Sequence, residues 1–82
     1  MKLTIITPDS VVYEGIFTAI TVPGTSGSFQ ILRDHAAIVS TLQDGEVIIE
    51  NGKEKEKIII KGGVVETKDN TVTLLAEGIV KE

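Results

Sequence analysis

His35 is the single histidine of the 82 residues, and Asp34 precedes it. With Ser28 or Ser40 these residues have the types of a nucleophilic triad, in which an imidazole takes a hydroxyl proton and a carboxylate steadies the imidazolium. The spacing speaks against that chemistry. Adjacent residues on an extended strand point to opposite faces, so Asp34 and His35 do not pair there. Neither serine sits in anything like a nucleophile elbow. With one histidine and no cysteine, a transition-metal site lacks its usual donors. The plainer role for His35 is a hydrogen bond within a loop or an interface.

Gly24-Thr25-Ser26-Gly27 offers a second chemistry, phosphate binding. A phosphate loop needs a longer spacing and a lysine after its last glycine, and Ser28 stands there instead. A KH-type loop needs basic neighbours, which are missing. A tight turn after a strand explains the four residues. Lys53 follows Asn51-Gly52, a hairpin-tip position at which small β-sandwich carrier domains attach lipoate or biotin. The acidic or methionine neighbour of those families is replaced by Gly52 and Glu54, so a carrier domain is the alternative reading. In Lys53-Glu54-Lys55-Glu56-Lys57 the signs alternate. On a strand this puts lysines on one face and glutamates on the other, a solvated segment that discourages edge-to-edge association.

These residues must be carried by short strands. Lys2 to Thr7 alternates and stops at Pro8-Asp9-Ser10; Val11 to Tyr13 is closed by Glu14-Gly15. Ile16 to Val22 reads as one strand, with Ile16, Thr18, Ile20 and Val22 on one face and Phe17, Ala19 and Thr21 on the other, ended by Pro23-Gly24. Ser28 to Leu32 and Glu46 to Glu50 are further strands. Ala36 to Leu42 is mixed, since Ala36-Ala37 suits a helix and Ile38 to Thr41 a strand. Asn51-Gly52 predicts a type I′ hairpin turn. Lys53 to Lys61 returns to a bend or bulge at Gly62-Gly63. Val64 to Thr67 leads to a turn at Asp69-Asn70. Thr71 to Ala76 puts Val72, Leu74 and Ala76 on one face; Gly78 breaks it before a last short strand at Ile79-Val80. No helical period persists over three turns. The expected fold is all-β, a β-sandwich or flattened barrel.

One core accounts for the length, so residues 1–82 form a single domain. A formal charge of −4 opposes nucleic-acid binding. No apolar run reaches the length of a membrane span. The N-terminus is too short and alternating for a signal peptide. The expectation is a soluble, mildly acidic, intracellular domain.

The stretch from Val22 to Glu46 then narrows the choice. Pro23-Gly-x-x-Gly27-x-Phe29-Gln-Ile31-Leu32-x-x-His35-Ala36-x-Ile38-Val39-Ser40-x-Leu42-x-x-Gly45 resembles the signature region of the epsilon subunit of F-type ATP synthases. Asp9 to Gly15, the bend at Ile60-x-Gly62-Gly63-x-Val65-Glu66 and the strand Val72 to Glu77 resemble further parts of that family, in matching order. The resemblance implies a β-sandwich of about ten short strands. It implies a non-catalytic subunit of the rotor's central stalk, without cofactor or metal. The subunit would couple proton translocation to ATP synthesis at the cytoplasmic face of the bacterial inner membrane, as a peripheral part of the complex. Its partners would be the gamma subunit, facing Thr7, His35 and Ser40, and the c-ring loops, facing Ser28, Phe29, Gln30, Ile31 and Leu32. Phe29 and Leu32 would be exposed apolar residues covered only in the complex.

Two departures qualify these implications. Most of the family continues into a C-terminal helical hairpin that regulates hydrolysis and in some members binds ATP, whereas this sequence stops at Val80-Lys81-Glu82. Either the natural protein is short, as in some bacterial lineages, or it has been cut. No nucleotide binding and no hairpin-based inhibition are therefore expected; a saturable calorimetric titration with ATP at micromolar affinity would contradict this. Arg33-Asp34 lies within the family's range at these positions but adds charge near the expected ring contact.

Overall fold

The computed structural model describes residues 1–80; the last two positions of the domain expected over 1–82 lie outside them. Eight strands follow one another: β1 (Lys2–Ile6), β2 (Val11–Ile16), β3 (Ala19–Gly24), β4 (Gly27–Leu32), β5 (Ile38–Leu42), β6 (Gly45–Asn51), β7 (Glu54–Lys68) and β8 (Thr71–Val80). Hydrogen bonds join them in one continuous sheet. The two longest strands fold that sheet over on itself. β7 pairs with β6 up to Ile60↔Gly45, then with β5 from Gly63↔Leu42 to Thr67↔Ile38. β8 accompanies β7 through both parts.

Two layers result. One runs β2, β1, the first part of β8, the last part of β7 and β5. The other runs the end of β8, the first part of β7, β6, β3 and β4. The all-β sandwich expected from the sequence is present, but with eight strands rather than about ten short ones, because β7 and β8 each run unbroken through both layers.

The core lies between the layers. Leu3, Ile5, Val65, Val72, Leu74 and Ala76 meet Ile20, Val22, Ile31, Val47, Ile49 and Ile60, all buried. Each of the larger side chains contributes roughly 1.5–3 kcal/mol relative to exposure. A one-residue slip of any strand would turn its core set to solvent, so the alternation fixes the register. The expected face of Val72, Leu74 and Ala76 is part of this core.

Other expected boundaries move, each for a local reason. Ile16 to Val22 is not one strand. The Phe17 N–H donates to the Met1 carbonyl in one layer, and the Thr18 N–H donates to the Glu50 carbonyl in the other, so the chain changes layer there. Ile16 is consequently 65% exposed and does not share the buried face of Ile20 and Val22. Pro23-Gly24 does not stop the strand at Val22 but forms its last two residues, because Pro23 pairs with Ser28 and Gly24 with Gly27 around a tight turn. A Cβ on Gly24 would lie 2.7 Å from the Gly27 carbonyl oxygen and 2.9 Å from the Phe29 ring, so only glycine fits. The β6–β7 hairpin has Gly52-Lys53 as its loop, since Asn51 pairs with Glu54. Positive φ falls on Gly52 alone (64°), as in a type II′ turn. The type I′ pattern occurs instead at Asp69 and Asn70, with φ of 52° and 59°. Gly78 does not interrupt β8; it pairs with Lys61 inside the ladder.

The alternating charges behave as their signs require. Lys55 approaches Glu50 at 3.8 Å and Lys57 approaches Glu46 at 3.5 Å on the outer face. Exposed pairs of this kind add little stability. Glu54 and Glu56 lie on the opposite side, beside Tyr13 and Ile49. Tyr13 packs from β2 against the core and closes that side of the sandwich. Burial first, then Glu56 and Glu54, push its phenol pKa above the ordinary 10.0. The folded state therefore holds this proton longer than the unfolded chain. The stability so gained is fully present below pH 10 and is lost as pH rises through the folded value. Denaturant titrations are expected to show a steeper decline above pH 10 for the wild type than for Tyr13→Phe, and equal slopes would remove this coupling.

Candidate partner-binding surfaces

Once the inward residues are committed to the core, each layer has an outer face. That of the β6–β7 layer carries Glu46, Glu50, Lys55 and Lys57 in ion pairs. The opposite face differs in character. Ile6 pairs with Leu75, Leu75 with Val64 and Val64 with Thr41, making one row across four strands. Leu75 is 51% exposed, and Val39, on the same face, is 68% exposed. Ile6, Val64 and Leu75 line an open groove of about 430 Å³ whose rim includes Thr7, Pro8 and Glu77. A mostly apolar groove, holding no ion pair among the described residues, suits a partner's side chains better than water.

The residues expected to face gamma are dispersed. Thr7 follows β1 and borders the groove; its N–H and Oγ1 both donate to the Ser10 carbonyl. Ser40 has the parity of buried Leu42, so it points away from Val39 and Thr41, and its Oγ donates to the Thr41 carbonyl. His35 lies beyond β4, at the end of the first layer that carries the Asp69-Asn70 turn. Thr7 is at the other end, so no single pocket gathers the three. His35 and Asp34 do not share an extended strand. The His35 N–H donates to the Leu32 carbonyl across a turn in which Asp34 has φ of 63°. His35 Nδ1 lies 2.7 Å from the Ala36 carbonyl, and Asp34 is held by Asn70.

The residues expected to face the c-ring form β4, which ends the strand order. Ser28, Gln30 and Leu32 are exposed, Phe29 is half-buried against the core, and Ile31 is buried. Ile31 therefore anchors the strand and offers no surface to a partner; Phe29 offers only part of its ring. Only Leu32, at 50% exposure, has the open apolar character expected of both. The hairpin tip before β4 is tied to the end of β5. Thr25 and Thr41 hydroxyls meet at 2.8 Å, the Thr25 N–H donates to the Thr41 carbonyl, and Gln43 donates to the Pro23 and Gly24 carbonyls.

Sequence reasoning missed Ile6, Val64 and Leu75. The signal was present in the last strand: if Val72, Leu74 and Ala76 face inward, Leu75 is an unpartnered leucine on the outer side.

The whole chain matches the family model described as the ATP synthase, delta/epsilon chain, β-sandwich domain, over residues 1–82. It belongs to that family. Among relatives, the ATP synthase epsilon chain of Leptospira borgpetersenii is 39% identical over 83 residues, covering 100% of this chain and 65% of the relative. The ATP synthase epsilon chain of Nitratiruptor is 40% identical over 82 residues, covering 98% and 63%. The sequence thus spans somewhat less than two thirds of their length. A chain in the Euglena gracilis mitochondrial ATP synthase, in a structure of OSCP, F1 and c-ring, superposes with a TM-score of 0.88 at 26% identity, covering 95% of this chain and 51% of that one. A chain from the Tetrahymena thermophila mitochondrial ATP synthase central stalk and c-ring shares the fold, with a TM-score of 0.80 at 22% identity, covering 98% and 65%.

Proposed function

We propose that this sandwich is a non-catalytic docking body of the ATP synthase central stalk, which holds the gamma subunit and the c-ring together so that torque passes without slippage. The observation that carries the reading is the contrast between the two outer faces. One is ion-paired, and the other bears the row Ile6, Leu75 and Val64 beside Thr7. A clamp needs a rigid body and a broad complementary surface rather than a reactive group. In this reading the apolar face receives gamma, with Thr7 at its rim, and the exposed edge of β4 at Ser28, Gln30 and Leu32 meets polar loops of the c-ring. His35 borders the gamma contact, and Ser40, turned inward from Val39 and Thr41, supports that face from behind. The domain works peripherally at the cytoplasmic face of the bacterial inner membrane, as part of the complex.

The chain immobilised at low salt is expected to retain a gamma-like subunit from a solubilised membrane extract. Failure to retain one would count against the reading. Capture of lipoyl or biotinyl ligase products, seen as added mass on Lys53, would favour the carrier alternative.

A further inference from the structure

Arg33 to Ala37 joins β4 to β5 and carries His35 without any ladder hydrogen bonding of its own. Besides the turn bond from the His35 N–H to the Leu32 carbonyl, what holds it lies 36 residues away. Asn70 Oδ1 accepts the Asp34 N–H at 2.7 Å, and Asn70 Nδ2 donates to Asp34 Oδ1 at 3.2 Å. The Asn70 carbonyl also accepts the Lys2 N–H at 3.1 Å. One side chain therefore binds both the main chain and the side chain of the residue before His35, while its own backbone is fixed to β1. Both partners occupy left-handed backbone, φ 63° at Asp34 and 59° at Asn70. Non-glycine residues hold that conformation when local hydrogen bonds support it. A glycine would suit either position by conformation alone, and would make no clasp.

We propose that Asn70 is a positioning residue that holds the His35 loop in the shape presented to the partner, a role that rests on the docking function above. The partner's affinity then depends on the clasp because a loop already ordered loses less conformational freedom on binding. The β7–β8 turn does not need the amide. Asp-Gly is a preferred type I′ dipeptide, so Asn70→Gly keeps the turn while removing both side-chain bonds. Asn70→Asp keeps an acceptor for the Asp34 N–H but places two carboxylates together and loses the donor.

The experiment follows amide hydrogen exchange in the whole chain, together with its affinity for purified gamma subunit. In Asn70→Gly the Asp34 amide is expected to exchange roughly tenfold or more faster, with Val72 and Leu74 amides and the unfolding midpoint unchanged. Affinity for gamma is expected to fall on the order of tenfold, with Asn70→Asp intermediate or equally weak. Unchanged Asp34 exchange in both variants would overturn the clasp. Faster exchange with wild-type gamma affinity would overturn its role in docking. A wild type that does not bind gamma would defeat the docking function instead, and the exchange data would still decide whether the clasp orders the loop.

Discussion

Gly63→Ala is expected to lower the unfolding midpoint by roughly 15–25 °C and to leave much of the chain unfolded near body temperature. Gly63 stands where β7 exchanges β6 for β5 as its partner, so both layers depend on its conformation. Its φ of 141° is one that side chains rarely adopt. A Cβ would also press into the Leu75 carbonyl oxygen and lie 3.0 Å from the Ala76 Cα, backbone that cannot turn aside as a side chain can. The two penalties act together, at about 3–5 kcal/mol. A domain of this length has a total stability of about 4–12 kcal/mol. Gly52→Ala provides the comparison: it too has positive φ, at 64°, but nothing within 4 Å of the added methyl. It is expected to cost only about 1 kcal/mol. Thermal unfolding of the two variants by circular dichroism separates them, and equal midpoints would refute the role given to Gly63.

Leu75→Lys is expected to weaken gamma binding by about a hundredfold while the domain stays folded. Leu75 is central in the outer row, between Ile6 on β1 and Val64 on β7. Half of its surface already meets solvent, so the core does not rely on it. A lysine keeps an aliphatic stem along the strand, and Glu77 lines the same groove. The loss arises in the complex, where the ammonium would have to give up its water against an apolar partner surface. Lys55→Ala on the ion-paired face serves as the control and is expected to bind as the wild type does.

Much of the fold was legible in the sequence because strand alternation and turn residues act locally. Val72, Leu74 and Ala76 declared their inward face, and Gly62-Gly63 declared the bend. The break at Phe17-Thr18 was not legible, since the hydrogen bonds that cause it come from Met1 and Glu50. The type I′ turn was misplaced for a similar reason. Asn51 is drawn into the ladder by Glu54, whereas Asp69-Asn70 closes a longer hairpin whose register is fixed by the core. The surface was less legible than the fold. Leu32 could be recognised as exposed, but Ile31 and Phe29 could not be distinguished from it until β4 was seen against β3. The clasp between Asp34 and Asn70 joins residues that no local pattern relates.

The most direct measurement of the central claim is the affinity of the chain for purified gamma subunit, taken in parallel for wild type, Leu75→Lys and Lys55→Ala, with folding checked in each. Saturable binding by wild type and Lys55→Ala, lost only in folded Leu75→Lys, is the predicted result. Absence of wild-type binding, or equal binding by all three, would contradict a docking function centred on Ile6, Val64 and Leu75.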